Sequence, residues 1–292
     1  MSFVADEIES QPQSWARAAE LAARFGGALP DPDARVAVVG CGTSWYMAQC
    51  CAALREAAGR GETDAFPASE FPPARGYDHV VALTRSGTTT EILRLLDALP
   101  EGGRSTVITT DPSLPAAQRA GAVIALDFAD ERSVVQTRFA TSVLALWRAH
   151  LGADLDAAIE DARAEIAREV PAELIGREHF VYLGTGWTVG LANEAALKVR
   201  EASGSWAESY PAMEFRHGPI SAVGERSVAW FFGAPPVGLV AETEAAGAVV
   251  VHAASDPMAQ LIGAQRLAVA VAARKGLDPD SPRNLTRSIV LA

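Results

Sequence analysis

The stretch VVGCGTSWYMAQCCAAL, beginning at Val38, has a second version in the same chain, YLGTGWTVGLANEAALK, beginning at Tyr182. Gly40 stands against Gly184 and Gly42 against Gly186, each pair 144 residues apart, and the same offset pairs Ala48 with Ala192 and Ala52 with Ala196. Further on, Asp111-Pro112 is echoed by Asp256-Pro257 at an offset of 145. Two copies of one unit are the simplest account of such self-similarity.

Each copy alternates short apolar runs with helical patterns. Strands are expected at Arg35–Val39, Val80–Thr84, Ser105–Thr110 and Ala122–Leu126, then at His179–Leu183, Val228–Phe232 and Ala246–Val251. Helical stretches such as Ser44–Glu56 and Glu91–Leu99 separate them, and a charged helical stretch at Asp154–Glu169, stopped by Pro171, joins the halves. This order predicts an α/β fold with parallel sheets flanked by helices on both faces.

The net charge of −11 argues against a nucleic-acid binder, which needs a basic face, but leaves room for a local cationic or hydroxyl-rich pocket. Apolar runs are broken by Gly, Pro or charge well short of a membrane span. The acidic N-terminus lacks the order of a secretion signal, so a cytoplasmic location is expected. Three cysteines make no disulfide framework, and five scattered histidines make no metal motif, so no metal and no cofactor are expected. The Gly40-Cys41-Gly42 triplet does not amount to a dinucleotide fingerprint, because Trp45 stands where a third Gly or Ala is needed and Val189 stands there in the twin.

Chemistry concentrates in two places. The first is VVALTRSGTTTE, where a buried strand ends in Thr84-Arg85-Ser86-Gly87-Thr88-Thr89-Thr90 just before a helix. Hydroxyls, a permissive glycine and helix N-terminal amides suit an anion, although a Ser/Thr-rich helix cap would look similar. The twin has VAWFFGAPPVG at this point, with no hydroxyl from Val228 to Gly238, and a plain cap would have had less reason to vanish. The second place is Glu194, Lys198 and Glu201, at i, i+4 and i+7 on one helix face amid alanines. These are either a solvated ion-pair ladder or a carboxylate base in apolar surroundings. His217, in EFRHGP beside Glu214 and Arg216, is either a packed structural residue or part of a polar cleft. A base, a histidine and an anion cradle together suit proton shuttling beside a phosphosugar carbonyl.

Taken in order, GCGTSWYMAQ, LTRSGTTTEIL, ERSVVQTRFATSVL, EAALKVREASGSWAESYPAMEFRHGPIS and SPRNLTRSIVLA resemble the double sugar-isomerase (SIS) domain family. That family includes the isomerase half of glutamine–fructose-6-phosphate aminotransferase, aminosugar-6-phosphate deaminases and fructosamine-type deglycases. The resemblance implies a tandem pair of three-layer αβα domains. Residues 1–34 would form an N-terminal helical segment, 35–153 the first domain, 154–178 a linker helix and 179–292 the second domain. It implies that the turn Cys41, Gly42, Thr43 and Ser44, with Thr84, Arg85, Ser86 and Thr89, binds the phosphosugar, and that Val134 and Gln136 line the sugar. Arg85 replaces a neutral amide of the aminotransferase and would face the phosphate. Glu201 corresponds to the base moving a proton between C1 and C2, His217 to the ring-opening histidine reaching in from a neighbouring subunit, and Glu194 and Lys198 to supporting positions. Arg287 stands where the aminotransferase has an imine-forming lysine, a role that an always-protonated guanidinium cannot fill. It would instead polarise a carbonyl or hold a phosphate or hydroxyl.

The implied protein is a homodimer with a shared active site that acts on an (amino)hexose 6-phosphate as an isomerase or deaminase. With no glutaminase segment ahead of the repeat, glutamine-driven amination is not expected. A fructosamine-6-phosphate deglycase and a non-catalytic phosphosugar sensor are the alternatives.

Overall fold

The computed structural model describes residues 2–291. The chain opens with α1 (Phe3–Glu9) and α2 (Gln11–Arg24). There follow β1 (Val36–Gly40), α3 (Thr43–Ala57), β2 (Thr63–Pro67), β3 (His79–Leu83), α4 (Thr90–Asp97), β4 (Arg104–Thr109), β5 (Ala122–Ala125) and α5 (Arg138–His150). The remainder comprises α6 (Asp156–Ala167), α7 (Ala172–Ile175), β6 (His179–Gly184), α8 (Thr188–Ser203), β7 (Trp206–Pro211), β8 (Ser227–Phe231), α9 (Leu239–Ala245), β9 (Val249–Val251) and α10 (Pro257–Arg274).

Two compact units result. The N-terminal unit holds residues 13–131, 136–155 and 286–291, and the C-terminal unit holds 2–12, 132–135 and 156–285. The sequence pattern suggests contiguous halves; the folded units instead exchange their ends. In the C-terminal unit, the Asp280 carboxylate accepts from Phe3 N and Val4 N at 2.7 and 2.8 Å. There too, Gln11 Nε2 donates to Gln265 Oε1 at 2.7 Å. In the N-terminal unit, Thr90 N donates to the Ile289 carbonyl at 3.1 Å.

The N-terminal sheet runs β2-β1-β3-β4-β5 and the C-terminal sheet β7-β6-β8-β9, every pairing being parallel. Strands of a parallel sheet covered on both faces read as continuous apolar runs, and β1, β3 and β8 are buried throughout. Alternate residues point to opposite faces. Ala37, Val39, Val80, Ala82 and Val107 pack with Ile92, Leu95 and Leu96 of α4. Val36, Val38, Val81 and Leu83 therefore face the other way, the side on which α3 packs against β1 and α5 against α3. The C-terminal unit repeats the scheme: Val181, Leu183, Ala229 and Phe231 pack with Leu239 of α9, while α8 and α10 pack together elsewhere in the unit.

The internal repeat is also visible in backbone detail. A Cβ at Gly40 would lie 2.4 Å from the Ser44 backbone, and one at Gly184 would lie 2.3 Å from the Thr188 carbonyl oxygen. Only glycine lets the helix following the first strand of each unit start that close to the sheet. Both sheets have the 2-1-3-4 order, in which the order of the strands across the sheet reverses beside the first strand. The crevice at the carboxyl end of that switch point is where open α/β sheets bind ligands. No helix among the described residues is long and apolar enough to cross a membrane.

Candidate active site

In the N-terminal unit the switch point lies between β1 and β3. The turn Cys41–Gly42 leads from β1 into Thr43 and Ser44 of α3, and the hydroxyl run follows β3. Gly42 has φ +55° and Gly87 φ +60°. A Cβ at Gly87 would also fall 2.5 Å from Leu114 Cβ, so the loop can take its course only with glycine there. Thr84 Oγ1 accepts from Gly87 N at 3.2 Å and closes the turn. Thr89 is the N-cap of α4 but makes no side-chain capping bond. The plain-cap reading therefore does not describe this geometry.

The hydroxyls converge instead. Ser86 Oγ and Thr88 Oγ1 donate to Ser288 Oγ at 3.1 and 3.0 Å, and Thr89 Oγ1 lies 3.3 Å from Ser86 Oγ and 3.4 Å from Ser288 Oγ. The first amide of α4, Thr90 N, donates to the next tail residue, at the Ile289 carbonyl, at 3.1 Å. Several donors aimed at one spot beside a helix N-terminus form an anion-accepting arrangement. Cys41 is half-buried, and burial, assisted by Glu91, pushes its thiol up to about 11, so it stays protonated and is not a nucleophile at neutral pH.

Arg85 departs from expectation. Its side chain is 1% exposed and its Nη1 lies 3.7 Å from Glu131 Oε2, while Nη2 donates to the Arg287 carbonyl at 3.2 Å. The charge is thus engaged within the protein core and does not stand open to the cradle mouth. Desolvating a guanidinium is tolerable only with a partner, and Glu131 supplies one. Glu131 Oε1 also accepts from Thr137 N, Thr137 Oγ1 and Arg138 N at 2.6, 2.8 and 2.8 Å, capping α5. Gln136, on the same connection, has its Oε1 buried without a partner among the described residues, an acceptor to spare for a sugar hydroxyl. Arg287 is committed as well: its guanidinium bonds to Asp130 Oδ1 at 2.5 Å and to the Glu131 carbonyl. Val134 belongs to the C-terminal unit, where its amide meets the Asp280 carbonyl at 3.5 Å.

In the C-terminal unit the second cluster forms on α8 as the spacing predicts. Lys198 Nζ lies 3.4 Å from Glu194 Oε1 and 2.5 Å from Glu201 Oε2. Glu194 and Lys198 are buried, whereas the Glu201 side chain is 19% exposed. This is not a solvated ladder: one buried lysine holds two carboxylates, and only Glu201 reaches solvent. Glu201 borders a cavity of about 520 Å³ that Arg200, Ser203, Asp278, Arg283 and Asn284 also line. His217 ends a 3-10 turn, Glu214–His217, and is exposed; Gly218 follows with φ +137°. Its neighbour Arg216 forms no cleft with it, because Nε and Nη2 pair with both carboxylate oxygens of Glu242 at 2.8 and 2.9 Å. The equivalent switch point here ends in Phe232 and Gly233, whose carbonyl and amide are taken by Thr188 Oγ1 and Gln260 Oε1.

Thr88, Glu131 and Ser288 are absent from the residues singled out in the sequence. Thr88 lay within the run; Glu131 and Ser288 carry no local signal, Ser288 meeting Ser86 across 202 residues.

Paired parallel sheets of this order, with a hydroxyl turn at one switch point, have the fold of SIS-type proteins, and the chain resembles that family. No family model matches it. The chain is 29% identical over 315 residues to the glutamine–fructose-6-phosphate aminotransferase (isomerizing) of Gloeobacter violaceus, an alignment covering 88% of this chain and 52% of the relative. It thus spans about half the length of the curated relatives it matches. A solved glucosamine-6-phosphate deaminase from Thermotoga maritima superposes with a TM-score of 0.86 at 24% identity, covering 99% of this chain and 100% of the other. The C-terminal domain of glucosamine-fructose-6-phosphate aminotransferase from Francisella tularensis gives 0.76 at 20% identity, covering 97% and 98%.

Proposed function

We propose that this chain is a phosphosugar isomerase or deaminase built as a tandem pair of SIS domains and acting on an (amino)hexose 6-phosphate. The observation that carries the reading is the convergence of Ser86, Thr88 and Thr89 hydroxyls beside the α4 N-terminus, in a loop whose counterpart in the twin, Val228 to Gly238, has no hydroxyl. In this reading Ser86 and Thr89 take the 6-phosphate, with the Cys41–Ser44 turn and Gln136 meeting the sugar. His217 opens the ring, from a second copy of the chain as the family resemblance implies. Glu201 takes a proton from one of C1 and C2 and returns it to the other through an enediol or enolamine; protonating the enolamine at C1 leaves a C2 imine, and water adding to C2 then releases ammonia. Hydrolytic loss of the amine needs no redox partner. The relatives named above carry the same two chemistries in their names, aminotransfer with isomerisation and deamination.

The double variant S86A/T89A tests the cradle. Hydrogen bonds to a charged group are worth about 1.5–3 kcal/mol each, so losing two should lower affinity for a hexose 6-phosphate about a hundredfold or more, with the unphosphorylated sugar unaffected. Equal affinity of variant and parent for the phosphate ester, by calorimetry, refutes the assignment.

A second reading, removal of an amino-acid adduct from the sugar phosphate, has one observation in its favour: the cavity beside Glu201 offers room for the amine portion, with Arg283 among the residues lining it as a cation for the amine's carboxylate. A fructosamine 6-phosphate that outcompetes the plain aminosugar phosphate, and loses that advantage in R283A, supports it. Equal competition by both excludes it.

A further inference from the structure

From residue 283 to residue 291 every residue is exposed except Ser288, which is half-buried. Ile289, Val290 and Leu291 are 48%, 69% and 52% exposed, so hydrophobic burial does little to hold this tail down. Polar contacts hold it. Ser288 Oγ accepts from Ser86 and Thr88, the Ile289 carbonyl accepts from Thr90 N, and Leu291 N donates to Thr90 Oγ1 at 2.8 Å. Arg85 holds the Arg287 carbonyl, and Asp130 holds the Arg287 side chain.

The donors that the tail uses are those an anion would use. The Ser288 oxygen sits where the hydroxyls converge, in the acceptor role of a phosphate oxygen, and the Ile289 carbonyl takes the helix amide. We infer that the C-terminal tail is an intramolecular occupant of the anion cradle, with Ser288 standing in for the phosphate, and that a phosphate ester binds by displacing it. This rests on the cradle being the phosphate site. Displacement has two consequences. Apparent affinity is lowered by the fraction of molecules with the tail seated. Arg287, whose carbonyl and guanidinium are both tied down when the tail is seated, is released only when the anion arrives, so the cation would reach the sugar only in loaded molecules.

Inorganic phosphate is the probe, titrated by calorimetry into the full chain. Removing one acceptor by S288A weakens the tail's seat by about one hydrogen bond and should tighten phosphate binding roughly threefold to tenfold. S288D places a carboxylate in the cradle and should weaken phosphate binding by a similar factor or more. Were Ser288 instead a ligand of the anion, both variants would weaken binding, and that result overturns the proposal. The Arg287–Ser288 bond provides a second readout in the unmodified protein. Phosphate should speed tryptic release of the SIVLA fragment, and slowed release, showing the tail closing over the anion, overturns the proposal equally. The cradle reading fails separately: phosphate binding absent in parent and S288A alike, or unaffected by S86A/T89A, removes the site itself. Normal binding with no response at Ser288 removes only the tail's role.

Discussion

Replacing Glu201 with Gln is expected to lower kcat about a thousandfold or more while changing phosphosugar affinity less than threefold. A positioned general base contributes about 10²–10⁴ in rate, and an amide cannot accept the proton. The substitution is nearly isosteric, and its carbonyl oxygen can still accept from Lys198, which sits 2.5 Å from Glu201 Oε2 and 3.4 Å from Glu194 Oε1. The α8 cluster should therefore stay assembled. A loss confined to kcat, measured with saturating hexose 6-phosphate, assigns Glu201 to the chemical step. A variant that turns over normally, or whose whole defect is in KM, removes Glu201 from the base's role.

The second large effect concerns stability. Glu131→Ala is expected to cost about 3–5 kcal/mol, the usual penalty for leaving one member of a buried ion pair without its partner. Arg85 and Glu131 have side chains 1% and 0% exposed, so water cannot take over the lost carboxylate's role. The change also removes the acceptor for Thr137 N, Thr137 Oγ1 and Arg138 N at the start of α5. Urea unfolding should show a lower midpoint with an unchanged slope. The paired variant R85M/E131M should recover part of the loss, because no charge then remains stranded, although the α5 amides stay unsatisfied. A cost below about 1 kcal/mol for E131A would show that this pair does not brace the cradle loop.

Much of the fold is legible in the sequence because strands of parallel sheets covered on both faces carry apolar runs, as Val36–Gly40, His79–Leu83 and Ser227–Phe231 do. Seven of the nine strands among the described residues are expected from the sequence, within three residues at their ends. The two that are not, Thr63–Pro67 and Trp206–Pro211, are the edge strands next to the first strand of each sheet. Both are largely half-exposed or exposed, carry carboxylates at Asp64 and Glu208, and end in proline, a residue that argues against a central strand. That the same strand escapes notice in each copy is itself a mark of the repeat.

The candidate site divides along similar lines. The hydroxyl run and the Glu194–Lys198–Glu201 face are local patterns, and the structure forms both. In the sequence Arg85 reads as facing the phosphate, because a charge in an anion-binding motif suggests the anion as its partner. Its actual partner, Glu131, lies on another loop, and burial of both side chains decides the matter. Ser288 in the tail gives no local sign of its role, since nothing in NLTRSIVLA indicates that its serine will meet Ser86, Thr88 and Thr89.

If Glu201 is the base of the proposed reaction, solvent exchange measures the proton it moves directly. With hexose 6-phosphate in deuterium oxide, the unmodified protein should wash deuterium into the carbon next to the carbonyl. E201Q should do so at less than about a thousandth of that rate, and S86A/T89A should match the parent only at much higher substrate. Exchange by E201Q at the parent's rate would contradict the account.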